Sequence, residues 1–134
     1  MLLLSLVTVM MTSCSKSPDF KLMAASGEDR NPSKEQIDKY IDQYEILCDM
    51  VARDGADTWD KIAEEYSEED ATTAQMFMLQ MGFLGSVTEI PGWEDDPSFE
   101  NGEAGITRDQ LKRIARLTSE IPQDASALND LKNK

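Results

Sequence analysis

The sequence contains no histidine. That absence removes Ser-His-Asp and Cys-His catalysis, the usual zinc ligand sets, haem ligation by imidazole, and imidazole switching near neutral pH. Paired carboxylates or a Ser-Lys arrangement are what remain for acid–base work. Cysteine is scarce: Cys14 and Cys48 are the two present, too few for a disulfide framework. Positive charge is scarce as well. Thirteen Lys and Arg stand against 26 Asp and Glu, for a net charge of −13. A chain this acidic repels phosphate backbones, so nucleic acid is not an expected partner. There is no alternating strand pattern, no internal repeat and no low-complexity tract.

What charge there is falls in blocks. Residues 35–70 carry thirteen acids and three bases, residues 71–88 carry no charge, residues 89–107 carry six acids and no base, and residues 108–134 carry six bases and four acids. The uncharged block holds Thr72, Thr73, Gln75, Gln80 and Ser86, too polar for a membrane span.

Residues 1–10, MLLLSLVTVM, form an uncharged and mostly apolar run. A secretory apolar core needs about 7–15 such residues, a bilayer span about 20. Met11-Thr12-Ser13-Cys14 follows, then polar sequence. This order resembles a bacterial lipoprotein signal, and Ser-Cys-Ser-Lys resembles the junctions of Bacteroidota lipoproteins. The pattern departs from the usual one in having Met11 where leucine is common and no Lys or Arg before the apolar run. The resemblance implies a signal peptide over 1–13 and diacylglycerol on the Cys14 thiol. It also implies an address in the cell envelope, at the outer membrane, with the membrane contacted through the lipid. Cys48 is then left unpaired, and its neighbours Glu45 and Asp49 are the wrong sign to activate a thiol. It is expected to be buried.

Residues 14–32 are Ser/Pro/Gly/Asp-rich and read as a flexible tether, with Phe20, Leu22 and Met23, its only large apolar residues, as candidates to dock elsewhere. From Ser33 the pattern becomes helical. Ser33 with Gln36 is a capping-box pair, and Ile37, Tyr40, Ile41, Tyr44, Leu47, Cys48 and Val51 share one stripe, giving a first helix near 34–53 stopped by Gly55. Trp59, Ile62, Ala63 and Tyr66 mark a second helix. Residues 71–87 are apolar nearly all round and read as a central buried helix, with Gly82 and Gly85 allowing close approach of a neighbour or starting the unwinding. Trp93 to Ile106 reads as a long acidic loop. Thr107 with Gln110 caps a last helix carrying Leu111, Ile114, Ala115, Thr118 and Ile121, and Pro122 ends it. The expected fold is all-α: one irregular bundle of about four helices over 33–122, a long acidic loop before the last helix, and a frayed tail over 123–134.

Five constellations are candidates for function. Glu35, Asp38, Asp42, Glu45 and Asp49 fall within an arc of about 80° on the first helix, opposite its apolar stripe. Asp57, Asp60, Glu64 and Glu68 repeat the pattern on the second. Such a face solvates the protein and suits docking of a basic protein partner. Arg108, Lys112 and Arg116, flanked by Arg113, form a basic row that would meet the acids at its edges, or serve self-association or contact with anionic lipid. Met76, Met78 and Met81 match copper(I) spacings, but core packing is favoured because Met76 and Met78 diverge by about 200° on a helix. Glu94, Asp95, Asp96, Glu100, Asn101 and Glu103 supply oxygens for calcium without EF-hand spacing. Trp93 and Phe99 are candidate anchors if that loop serves recognition; in an ordinary surface loop Trp93 folds back onto the core. The reading is of a non-enzymatic protein-binding or accessory module needing no cofactor, with Asp38, Asp42, Glu45, Asp49, Trp93 and Phe99 as contact residues. The alternative is a carrier of metal or a small ligand.

Overall fold

The computed structural model describes residues 17–100 and 105–121. Cys14, the expected signal over 1–13, Asn101, Glu103, Pro122 and the expected tail over 123–134 lie outside them. Among the described residues the fold is all-α, without strands. It comprises α1 (Phe20–Glu28), α2 (Lys34–Asp54), α3 (Thr58–Glu65), α4 (Glu68–Gly85) and α5 (Arg108–Ser119). The last four are the helices expected from the sequence.

Each begins and ends for a local reason. The Ser33 side chain accepts from the N–H of Gln36, and Ser67 from that of Asp70. At α5 the capping box is reciprocal: Thr107 accepts from the Gln110 N–H at 3.2 Å, and the Gln110 side chain accepts from the Thr107 N–H at 3.0 Å. Gly55 stops α2 at φ 63°, a conformation that disfavours a Cβ, with its N–H donating to the Val51 carbonyl. Three acids, Glu68, Glu69 and Asp70, occupy the first turn of α4, where the helix dipole favours them.

The tether reading is corrected over 20–28. This stretch is a nine-residue helix whose N-cap, Asp19, accepts from the Leu22 N–H and donates its own N–H to Gln43 of α2 at 2.7 Å. Met23 is buried, and Gln80 of α4 donates to the Ser26 carbonyl at 3.3 Å. Phe20 sets its ring edge-on to Tyr66, centroids 4.9 Å apart. The sequence hid this helix because one of its two buried positions is polar: Ser26, whose hydroxyl is satisfied by the Met23 carbonyl at 2.6 Å.

α4 is central, packing against all four other helices. Its buried side is Ala71, Ala74, Phe77, Met78, Met81 and Gly85. These meet Ile41, Tyr44, Leu47 and Val51 of α2, Ile62 of α3, and Leu111 and Ile114 of α5 in one apolar core. Fully burying each large side chain is worth about 1.5–3 kcal/mol. Gly85 is the close-approach point. A Cβ there would lie 3.3 Å from Thr118 Oγ1 and 3.4 Å from Ile114 Cγ2. Gly82 has no such neighbour, so the expectation of close approach holds for one glycine of the pair.

A short 3-10 turn, Ser86–Glu89, follows α4, and the acidic loop itself is partly ordered into 3-10 turns at Trp93–Asp95 and Pro97–Phe99. Trp93 and Ile106 are buried and pin its two sides to the core. No helix of the described residues is long and apolar enough to cross a membrane.

Candidate functional site

The acidic face of α2 divides into a paired edge and an open edge. Along the paired edge, Gln110 of α5 donates to Asp38 at 2.9 Å and to the Lys34 carbonyl at 3.0 Å. Arg113 bridges Asp42 at 2.9 Å and Glu45 at 3.1 Å. Burial alone would lower the Arg113 pKa, but the hydrogen bonds and charges of these carboxylates outweigh it and raise the net value. The residue flanking the basic row therefore makes the edge contact with the acids. Lys112 adds one exposed bridge to Glu94 at 3.3 Å. Pairs this exposed contribute at most about 1 kcal/mol.

Asp38, Asp42 and Glu45 are thus engaged within the chain, while Asp49 is not. Asp49 is exposed with no ion-pair partner among the described residues, as are Asp57, Asp60 and Glu64. Asp60 and Glu64 lie on the side of α3 opposite buried Trp59 and Ile62, and Asp57 precedes the helix as its N-cap. Asp54 differs: a hydrogen bond from Lys61 at 3.0 Å, with Arg53 nearby, holds its carboxyl below the usual range. Asp96 is also lowered, first by the Ser98 N–H and then by the Ser98 hydroxyl.

Trp93 is not displayed to a partner. It is buried, and Phe99 packs edge-on against it with centroids 5.9 Å apart. Both rings fasten the loop to the body. Cys48 is buried, and burial is the chief reason its thiol pKa rises from 9.0 to about 12, with Asp49, Glu120 and Glu45 adding to the rise. The thiol is therefore a packing group and not a nucleophile near neutral pH.

The three methionines do not converge. Met78 and Met81 are 4% and 2% exposed, whereas Met76 is 63% exposed on another side of α4. Among the described residues no three Cys, Asp or Glu side chains are placed to hold a metal ion. A cleft of about 350 Å³ opens where α2 and α5 begin, lined by Lys34, Asp38, Phe99, Arg108, Asp109 and Arg113, among others. Arg108 Nε is buried there without a partner among the described residues. The cations of the cleft are matched by Asp38, Glu100 and Asp109, so it has no net attraction for an anion.

One surface was not foreseen. α4 is not buried on nearly all sides. Thr72, Met76, Leu79, Phe83 and Ser86 lie within about 80° of arc, and all but half-buried Leu79 are exposed. Met76 and Phe83 are 63% and 66% exposed, and Ile90 just beyond the helix is 57% exposed. The signal was in the sequence: apolar residues all round a helix fit a buried rod, but also a helix with a second apolar face. Neither a known protein family, nor a curated protein, nor a solved structure matches the chain.

Proposed function

We propose that this chain is a lipid-anchored, non-catalytic module of the bacterial cell envelope that binds a protein partner of basic character. The observation that carries the reading is the open acidic surface: Asp49 on α2, Asp57 in the turn before α3, and Asp60 and Glu64 on α3 are exposed and unpaired among the described residues. Unpaired carboxylates of one sign attract a cationic partner and speed its encounter. The acids at Asp38, Asp42 and Glu45 have a second duty, since they hold α5 to α2. With no histidine in the chain and the cysteine pKa raised, the body offers little acid–base chemistry near pH 7. The address at the outer membrane rests on the apolar leader and Cys14.

The experiment is covalent capture of the anchored protein in its own cells, comparing the wild type with a variant carrying Asp49→Lys, Asp60→Lys and Glu64→Lys. The expected result is a discrete captured protein, rich in Lys or Arg at the crosslinked surface, that is lost in the triple variant. An identical capture profile from both chains would exclude the acidic surface. Lipidation is checked separately by the intact mass of the native chain and by loss of membrane retention in Cys14→Ala.

A further inference from the structure

The exposed stripe of α4 stands out on the described surface, with Met76 and Phe83 63% and 66% exposed. It lies in residues 71–88, a block of the helical body that carries no charge. Met76, Leu79 and Phe83 stand at i, i+3 and i+7, the spacing with which one helix anchors to another. Met76 and Phe83 are separated by about 10 Å along the axis, with Leu79 between them. Two large apolar side chains so exposed on one ridge mark an interaction surface more than ordinary surface scatter.

Charge decides what can cover it. The stripe is bounded by Glu68 and Glu69 at the start of α4, and by Glu89 beyond its end. A second copy of this chain, paired antiparallel, would bring Glu68 and Glu69 of one molecule toward Glu89 of the other, on a background of −13 per chain. An anionic lipid surface meets the same repulsion. A helix with an apolar ridge and Lys or Arg at both ends meets none: its centre faces Met76, Leu79 and Phe83, and its ends face carboxylates. From this juxtaposition we propose that α4 is the docking helix for an amphipathic, basic-ended helix of another protein. The inference rests on the protein-binding reading above and adds the partner's shape. The unpaired acids of α2 and α3 steer it, and the α4 stripe holds it.

A synthetic helical peptide is the probe, about 18 residues long to match α4, with leucines at i, i+3 and i+7 and lysines at both ends. It is titrated into the full chain and followed by fluorescence anisotropy. A second peptide of identical composition has its leucines scattered off the ridge. The expected result is binding of the ridged peptide that weakens at least about tenfold in Phe83→Ser, with the scattered peptide binding both chains equally weakly. Because Phe83→Ser leaves the charge unchanged and removes a mostly exposed ring, circular dichroism should show the fold intact. Equal affinity of both peptides, or no effect of Phe83→Ser, would overturn the proposal. So would sedimentation as a dimer that Phe83→Ser dissociates, binding to phosphatidylglycerol vesicles that Phe83→Ser abolishes, or peptide binding that appears only after residues 122–134 are removed. The two readings separate in cellular capture. If the Asp49/Asp60/Glu64 reversal loses the partner and Phe83→Ser keeps it, the stripe fails and the acidic surface stands. If neither variant changes capture, both fail.

Discussion

Tyr44 and Thr118 join α2 to α5 through one hydrogen bond, and its removal can be worked through in detail. Tyr44 is fully buried, and its hydroxyl lies 2.7 Å from Thr118 Oγ1. Thr118 has one proton, which it donates to the Ile114 carbonyl at 2.8 Å, so Tyr44 is the donor to Thr118. Thr118→Ala removes that acceptor and strands the phenol in the core, at about 1–3 kcal/mol. The gain in helix propensity offsets a few tenths of that. Tyr44→Phe removes the donor and leaves Thr118 bonded to Ile114, at about 1 kcal/mol. With both changes no polar group is stranded, so Thr118→Ala should cost about 1 kcal/mol less in the Tyr44→Phe background than in the wild type. Urea melts followed by tryptophan fluorescence give all four corners of the cycle. Each 1 kcal/mol corresponds to about 4–8 °C in Tm for a domain of this size. Equal costs of Thr118→Ala in both backgrounds would refute the bond's role in holding α5 to α2.

The same region sets the alkaline limit. Burial raises the Tyr44 pKa above its ordinary 10.0 and the Cys48 pKa from 9.0 to about 12. The unfolded chain therefore loses these protons first, and stability present below pH 9 should fall as pH rises toward about 12. Urea midpoints between pH 7 and pH 11 measure this, and Cys48→Ala should flatten the fall. Cys48 should also react with a thiol reagent at pH 8 only on unfolding, so rapid labelling of the native chain would contradict its burial. Thr107→Ala should cost about 0.5–2 kcal/mol by opening the capping box, read as a lower Tm. Arg113→Ala should cost no more than about 1 kcal/mol, and less in high salt, because its pairs are exposed. A larger, salt-independent loss would show that Arg113 packs more than it pairs.

The sequence made the bundle legible where one face of a helix was apolar and its ends were capped. Ser33, Gly55, Thr107 and Gln110 mark real boundaries, and the stripe from Ile37 to Val51 is buried as its spacing implies. It failed where burial does not follow hydrophobicity. α1 buries Ser26 beside Met23, a pairing no apolar pattern reveals. Met76 and Phe83 are apolar but exposed, because the core needs one face of α4 and the sequence made two. Trp93 is a different case. An acidic loop with aromatics reads either as displayed or as folded back onto the core, and packing against Phe99 and the core gives the second. The acids of α2 were legible as a face, but their division was not. That division depends on the register of α5, which sets Gln110 and Arg113 beside Asp38, Asp42 and Glu45.

The most direct measurement is site-specific photocrosslinking in the living cell, with a photoreactive residue replacing Asp60, Phe83 or, as a control, Lys112 in the full chain. The expected result is one shared adduct from Asp60 and Phe83, present in the membrane fraction and absent from Lys112. Adducts appearing equally from all three positions, or from none, would contradict a binding module that recognises its partner through α3 and α4.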